Sequence, residues 1–404
     1  MIISFKDRTF NGTIEAPASK SIYHRELIVR FLCGDRSNLM DLPGDNDDVK
    51  ATKACLRALR DARDGVTEGD VILPCNESGS TLRFMIPVAS AFLLRTGESI
   101  NRRLVFETKG RLCDRPLGEL SDAMAPHGIS ISKDMEARTV IVEGEMTSGV
   151  YTIDGSVSSQ YISGLIMALP MFSEESRIDV TGGIKSVHYI ELTENVLKKY
   201  GCGIRRIEDT YYPENNGYKT KPEDSFSVEG DWSNGAFLLC LKEFTGIEVT
   251  NLNPDSAQGD KAIVEFLNEV KNANGNEVTF DCADIPDIAP YMAVLAAFRT
   301  TKTTLTSTAR LRIKESDRSK AVCEQLSKVG VKTEENEDSI VIYGFEGNAP
   351  EETVAIDSYH DHRMAMCAVL IAAATKTEIS IDEIDCMNKS FPELRELVIK
   401  ELCK

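Results

Sequence analysis

A unit of helix, glycine and two-stranded hairpin recurs along the chain, and it restricts the fold more than any other feature. In M-A-P-H-G-I-S-I-S-K-D-M-E-A-R-T-V-I-V-E-G a helix-like stretch ends at Gly128 and two short alternating strands follow. C-E-Q-L-S-K-V-G-V-K-T-E-E-N-E-D-S-I-V-I-Y-G repeats the pattern through Gly330. N-V-L-K-K-Y-G-C-G-I-R-R-I-E-D repeats it through Gly201, with a longer hairpin that takes in the polar stretch 209–224 and returns at F-S-V-E-G-D. Gly65 and Gly275 head weaker echoes. Glycine ends such helices because the left-handed conformation costs little only without a Cβ. The copies recur at roughly 55 to 75 residues, too long for a thin solenoid and right for a repeated α/β module. About six modules fill the 404 residues, too much chain for one ordinary domain. The expectation is an α/β (α+β) protein of two three-module domains, with 1–17 and 229–404 forming one and 18–228 the other. The chain would cross between them near Glu15–Lys20 and Ser227–Asp231.

The net charge is −18, from 46 Lys and Arg against 64 Asp and Glu. A field of that sign repels nucleic acid and anionic membranes, so neither is an expected partner. An anionic ligand would then need a local cluster of cations. The longest apolar run, Met364–Ala374, falls far short of the ~20 residues of a membrane helix. The start, M-I-I-S-F-K-D-R-T-F, lacks the basic region and apolar core of a signal peptide and reads as a first strand. Eleven cysteines without a C-x-x-C pair argue against a disulfide framework and a structural zinc site, and fit a reducing cytoplasm. Cys240 and Cys367 lie in apolar runs as small core residues, and Trp232 and Met364 read as core too.

Six helix beginnings carry small or charged side chains immediately before apolar residues. They are K-S-I-Y-H-R from Lys20, E-S-G-S-T-L-R near Gly79, S-V-S-S-Q near Ser158, I-P-D-I-A-P near Asp287, K-E-S-D-R from Lys314 and H-D-H-R-M-A-M near Asp361. A helix's first turn exposes free N–H groups and the positive end of its dipole, so added Ser, Lys or Arg makes a phosphate or carboxylate site. Ser, Asp and Gly are also ordinary caps. Arginine there opposes the dipole at a cost of roughly 0.3 kcal/mol or more. Arg83, Arg318 and Arg363 all do so, and the expectation is that a bound anion compensates them. The H-D-H of His360–His362 has the spacing of a chelate, but Arg363 beside it would repel a cation and no third ligand cluster is visible. No metal is expected.

The residues resemble one family along essentially the whole chain: the 5-enolpyruvylshikimate-3-phosphate synthases, or 3-phosphoshikimate 1-carboxyvinyltransferases. The similarity runs from P-A-S-K-S-I-Y-H-R (Pro17–Arg25) to K-S-F-P-E-L (Lys389–Leu394). Its strongest stretches are G-S-V-S-S-Q-Y-I-S-G-L-I-M-A-L-P, R-I-K-E-S-D-R and D-H-R-M-A-M-C, with R-L-C-D-R-P-L-G-E-L, V-E-G-D-W-S and I-P-D-I-A in family order. The resemblance implies the enolpyruvyltransferase-like inside-out α/β barrel fold. That is two globular domains, each of three βαβαββ repeats, with the active site in the cleft between them. It implies transfer of the enolpyruvyl group of phosphoenolpyruvate to the 5-hydroxyl of shikimate 3-phosphate, with release of phosphate, on the way to chorismate and aromatic amino acids. No metal or organic cofactor takes part. The chain is expected to act on these two small molecules as a cytoplasmic monomer.

Matched motif by motif, the resemblance implies that Lys20, Ser21, Arg25, Ser158, Ser159, Gln160, Ser186, Tyr189, Asp287 and Lys314 bind shikimate 3-phosphate. Arg25 would take its carboxylate, and Ser158, Ser159 and Ser186 its phosphate. Lys20, Gly79, Arg115, Gln160, Arg318, Arg363 and Lys389 would hold phosphoenolpyruvate, with Arg83 supporting the Gly79 turn. Asp287, Lys314, Glu315, Lys20 and His362 would carry the chemistry: a base at the hydroxyl (Asp287 with Lys314) and an acid at the methylene (Glu315 or Lys20). Fork-shaped arginines suit substrates that bear both carboxylate and phosphate. Blander roles exist for several of these residues. Asp287 could be a plain N-cap, Lys314, Glu315 and Arg318 a solvated helix pair, and His362 a structural histidine.

Glu77 and Arg310 stand where the family pattern has asparagine, and the expectation is that they pair with one another. Gly79 implies sensitivity to glyphosate, a phosphoenolpyruvate-like inhibitor, while Glu77 and Phe84 (where proline is common) count against it. Alternatives are the UDP-N-acetylglucosamine enolpyruvyltransferase and a catalytically silent anion-binding protein on the same fold. The first looks for a mobile-loop cysteine, whereas Cys113 here precedes Arg115 in the shikimate-type pattern. The second would not require an acid–base set. A relative that modifies RNA ends would need a basic surface.

Overall fold

Three four-stranded sheets share one strand order. In the first, Val71–Asn76 runs parallel to Leu104–Thr108, which pairs antiparallel with Thr139–Gly144, and the hairpin partner Ile129–Asp134 closes the far edge. Val150–Asp154, Arg177–Thr181, Thr210–Pro213 and Ile204–Ile207 repeat this arrangement. So do Val278–Asp281, Lys302–Thr306, Ser339–Tyr343 and Thr333–Glu335. A parallel pair needs a crossover, and helices Gly79–Leu93, Ser159–Ala168 and Ala289–Arg299 supply it. Helices Gly118–Met124, Val187–Lys199 and Arg318–Lys328 lead into the three hairpins, completing βαβαββ.

The computed structural model describes residues 1–6, 12–37, 39–95, 102–172, 175–214, 217–219, 227–273 and 275–402. The chain divides into two compact units, Lys20–Val228 and Met1–Ser19 with Glu229–Lys404. Each has its own apolar core. One gathers Leu56, Leu73, Phe106, Ile162 and Tyr211, the other Phe237, Met292, Leu305, Val369 and Ile379. Cys240, Cys367 and Met364 are fully buried in the latter and Trp232 nearly so, as expected. Among the described residues, no helix is long and apolar enough to cross a membrane.

The other three modules are abbreviated, which corrects the expectation of six like copies. Val354–Ile356 runs parallel to Ile379–Ile381 across the helix His362–Thr375, and the third strand of that sheet, Ile2–Ile3, comes from the far end of the chain. Among the described residues, Thr13–Glu15 pairs in parallel with Glu248–Thr250 alone. Helices Lys20–Leu32 and Asp47–Arg63 pack together with no strand of their own among the described residues. These partners lie too far apart in sequence for a local pattern to reveal. The opening strand is also shorter than the sequence suggests: only Ile2–Ile3 pairs, and residues 7–11 lie outside the described set.

The hairpin after Gly201 is likewise shorter than expected. It turns at Glu208, whose φ is +52°, and returns at once as Thr210–Pro213, burying Tyr211 and Pro213. The expected return at F-S-V-E-G-D begins in residues outside the described set.

Helices Gly79–Leu93 and Ser159–Ala168 approach closely because Gly164 has no side chain. A Cβ there would come within 2.8 Å of Pro87 Cγ and 2.9 Å of the Arg83 carbonyl oxygen. That contact sets the two helix starts, and their polar side chains, against each other.

Candidate active site

In the unit Lys20–Val228, four helix beginnings carry the residues singled out in sequence. Lys20 opens Lys20–Leu32, and its Nζ lies 2.9 Å from Oδ2 of Asp48, in the first turn of Asp47–Arg63. Ser158 caps Ser159–Ala168, its Oγ accepting from the Gln160 backbone N–H at 3.3 Å. The Gln160 amide then bridges to the neighbouring helix, donating to Ser80 Oγ at 2.8 Å and accepting from Arg83 Nη1 at 2.9 Å. Ser186 precedes Val187–Lys199 with φ +53°, a left-handed setting that costs a non-glycine residue about 1 kcal/mol or more. Tyr189 lies one turn beyond Ser186.

Gly79 is the first residue of its helix, with Ser78 as the cap. A Cβ on Gly79 would come within 2.6 Å of Arg115 Nη1 and 2.8 Å of Arg83 Nη1. Two guanidiniums therefore converge on free N–H groups at the positive end of a helix dipole, an arrangement that favours an anion. Glu77 lies against Gly110, where a Cβ would be 2.8 Å from its Oε1.

Arg25 is 1% exposed. It donates to Thr193 Oγ1 at 2.7 Å, to the Tyr189 and Ser21 carbonyl oxygens at 2.7 and 2.6 Å, and to Ser163 Oγ at 3.4 Å. Phe84 places its ring 4.8 Å from the guanidinium carbon. All of these hydrogen-bond partners among the described residues are neutral oxygens. Burial lowers the guanidinium's pKa to about 9, because desolvation penalises a charge that no carboxylate balances.

The other unit gathers a mixed-charge group around Arg318, which is also 1% exposed. Its Nε lies 2.8 Å from Asp361 Oδ2, its Nη2 2.7 Å from Glu315 Oε2, and its Nη1 2.8 Å from Asp287 Oδ1. Lys314 Nζ reaches the same Asp287 oxygen at 3.2 Å, and Lys389 Nζ lies 3.5 Å from Glu315 Oε1. Arg363 donates to the Ser233 carbonyl at 3.2 Å and to the Tyr291 hydroxyl at 3.0 Å. His362 is 2% exposed, its Nδ1 3.6 Å from Asp361 Oδ1.

Burial would raise Asp287, but Lys314, Arg318 and Arg363 hold it well below the usual carboxylate range. Burial, with Arg310 and Arg318 nearby, brings Lys314 down to about 8 against the pull of Asp287. Asp260 goes the other way, to about 6, because burial and the charge of Asp287 disfavour its ionised form.

The chain matches the family model of EPSP synthase (3-phosphoshikimate 1-carboxyvinyltransferase) over residues 6–397. It belongs to the EPSP synthase family. A 3-phosphoshikimate 1-carboxyvinyltransferase of Clostridium acetobutylicum is 32% identical over 410 residues, covering 95% of this chain and 93% of that protein. One of Clostridioides difficile is 30% identical, covering 95% and 93%. Among solved structures, the EPSP synthase of Acinetobacter baumannii superposes with a TM-score of 0.70 at 20% identity, over 100% of this chain and 98% of that one. The enolpyruvyl transferase NikO of Streptomyces tendae gives 0.63 at 14%, over 99% and 96%. At those identities the two structures bear on the fold alone, and they agree with the two-domain α/β architecture. EPSP synthases are transferases of aromatic amino-acid biosynthesis, moving the enolpyruvyl group of phosphoenolpyruvate to shikimate 3-phosphate. This chain is an enzyme of that class.

Within the EPSP synthase pattern, three expectations from sequence need correction. The helix expected from Lys314 starts at Arg318 with Asp317 as its cap, so Lys314 and Glu315 sit on the turn before it. The blander alternative for Asp287, a plain N-cap, does not apply, since that position falls to Ile288. Arg318 is not an uncompensated helix start, since Asp287, Glu315 and Asp361 surround it, and Arg83 lies one turn inside its helix. His360 and His362 differ in surroundings: the former is exposed with Nδ1 2.6 Å from Glu383 Oε2, the latter buried. Among the described residues, no group of three His, Cys, Asp or Glu side chains could hold a metal.

Sequence reading missed Asp48, Asp260, Tyr291 and the structural weight of Asp361. Asp361 was visible only as a cap. Its second role, inside the guanidinium of residue 318, links positions 43 residues apart.

Proposed function

We propose that Lys20, Ser21, Arg25, Ser158, Ser159, Gln160, Ser186 and Tyr189 take up shikimate 3-phosphate. Lys20, Gly79, Gln160, Arg115, Arg318, Arg363 and Lys389 take up phosphoenolpyruvate. The observation that carries this reading is Arg25, a buried cation surrounded by neutral oxygens. Burying a charge without a partner costs several kcal/mol, roughly, which a substrate carboxylate offsets on binding. Ser158, Ser159 and Ser186 bring hydroxyls to two helix starts, where the positive end of the dipole suits a phosphate.

Asp287 stays ionised and so is a weak base, whereas Lys314 at about 8 is poised to accept a proton near neutral pH. Lys314 therefore takes the proton of the 5-hydroxyl, oriented by the Asp287 oxygen 3.2 Å away. The hydroxyl oxygen bonds to the central carbon of phosphoenolpyruvate while Glu315 or Lys20 protonates the methylene carbon. The resulting phosphate ketal loses phosphate and a methyl proton to give the enol ether. His362 flanks this group from the helix His362–Thr375.

The ten described cysteines are all free, and this supports the further reading of an enzyme working in the cytoplasm. The experiment that tests the proposal is phosphate release from the two substrates by wild type and by Arg25→Met. The variant should lose at least about a hundredfold in kcat/KM for shikimate 3-phosphate, the cost of one desolvated charge-assisted contact. Undiminished turnover by Arg25→Met would refute the assignment. Turnover with UDP-N-acetylglucosamine in place of shikimate 3-phosphate would point to the sister reaction.

A further inference from the structure

Four side chains form an unbroken hydrogen-bonded line beneath the helix starts of the unit Lys20–Val228. His24 Nδ1 lies 2.7 Å from Thr52 Oγ1, Thr52 Oγ1 lies 2.7 Å from Thr81 Oγ1, and Thr81 Oγ1 lies 2.7 Å from Ser78 Oγ. Thr81 Oγ1 also lies 3.3 Å from the Asp48 carbonyl oxygen. His24, Thr52 and Thr81 are fully buried and Ser78 is 1% exposed. The line crosses three helices, Lys20–Leu32, Asp47–Arg63 and Gly79–Leu93, through residues the chemistry does not use.

Proton counting gives the line a direction. Thr81 has one hydroxyl proton, and its outer partners, Ser78 Oγ and the Asp48 carbonyl, take it. Thr52 must then donate to Thr81, and His24 must donate to Thr52 from Nδ1. His24 Nε2 is buried with no partner among the described residues, and this tautomer leaves a bare lone pair there rather than an orphaned N–H, the cheaper of the two. Burial keeps the ring neutral by lowering its pKa to about 3, and neutrality is what makes Nδ1 and Nε2 unlike.

We propose that His24, acting through Thr52 and Thr81, is a positioning residue for phosphoenolpyruvate: it fixes the Ser78–Gly79 helix start and the Asp48 that holds Lys20. The far end of the line meets both. Ser78 caps the helix that Gly79 opens, and Asp48 carries the carboxylate 2.9 Å from Lys20 Nζ. Arg115 Nη1 and Arg83 Nη1 lie 2.6 and 2.8 Å from where a Cβ of Gly79 would sit, so a shift of the Ser78 cap moves this helix start relative to both guanidiniums. The inference rests on the reading that Gly79 and Lys20 hold phosphoenolpyruvate.

The test measures KM for each substrate, kcat and the melting temperature for His24→Phe, His24→Asn, Thr52→Val, Thr52→Ser and Lys20→Met. His24→Phe and Thr52→Val should raise KM for phosphoenolpyruvate roughly tenfold, the size of one lost buried hydrogen bond, and raise that for shikimate 3-phosphate, which meets this line only through Lys20, by a clearly smaller factor. His24→Asn, whose amide nitrogen can donate from the Nδ1 position, and Thr52→Ser should recover most of the loss. Equal effects on both substrates that track a fall in melting temperature, or no effect from either disrupting variant, would overturn the proposal. Lys20→Met separates the layers. If it leaves KM for phosphoenolpyruvate unchanged, the underlying site assignment fails; if it raises KM while His24→Phe does not, only the positioning role fails.

Discussion

Arg318 and Asp361 form an ion pair with Nε and Oδ2 2.8 Å apart and side chains 1% and 0% exposed. Asp361 also accepts from Ser316 Oγ at 2.9 Å and from the Arg363 N–H at 2.9 Å, so one carboxylate ties a loop, a helix cap and a buried cation together. Asp361→Ala should cost about 3–5 kcal/mol of stability, because it removes the most deeply buried of the three carboxylates around a buried guanidinium together with the Ser316 and Arg363 N–H bonds. Denaturant unfolding measures it, and replacing Arg318 by Met in the same chain should return part of the loss. A cost under about 1 kcal/mol would mean that Asp287 and Glu315 suffice for Arg318.

The two shifted groups near Asp287 give opposite pH signatures. Lys314, at about 8, is an acceptor only when neutral, so kcat should climb as pH rises towards and through 8. Lys314→Met should remove that limb from the kcat profile along with most of the rate. A limb that survives the substitution would assign the base elsewhere.

Asp260 titrates in the folded protein at about 6, above its ordinary 3.8. The folded state therefore holds a proton that the unfolded chain gives up between those values, and its contribution to stability falls as pH rises from about 4 to 6. Asp260→Asn should flatten that part of the stability curve. Parallel curves for variant and wild type would rule the shift out.

Gly79→Ala should raise KM for phosphoenolpyruvate by tenfold or more, roughly, and reduce inhibition by glyphosate, because the new methyl would overlap two guanidinium groups. Steady-state kinetics with and without the inhibitor decide this. Unchanged KM would show that Arg115 and Arg83 can retreat without loss.

The modules and most helix starts could be read from sequence because they are local. Gly128 and Gly330 each end a helix with positive φ, and caps at Ser158 and Asp361 fall where polar residues meet apolar runs. Long-range pairing could not be read this way. Nothing near Arg25 announces that Thr193 and the Tyr189 carbonyl will surround it, and nothing near Lys314 announces the Asp287 oxygen. Thr210–Pro213 was hidden by its composition: two buried positions in a four-residue strand give too weak an alternation against a polar flank. Phe84, a departure from the family pattern, makes sense only in three dimensions, as the ring beside Arg25.

The sheet that joins Ile2–Ile3 to Ile379–Ile381 sets a timetable for synthesis. Ile2–Ile3 is made long before the strand it pairs with, which follows nearly four hundred residues later, whereas the described sheets of the stretch Lys20–Val228 have their partners well before then. A nascent chain can therefore finish its inserted unit while its leading strand still waits, exposed, for the last crossover to emerge.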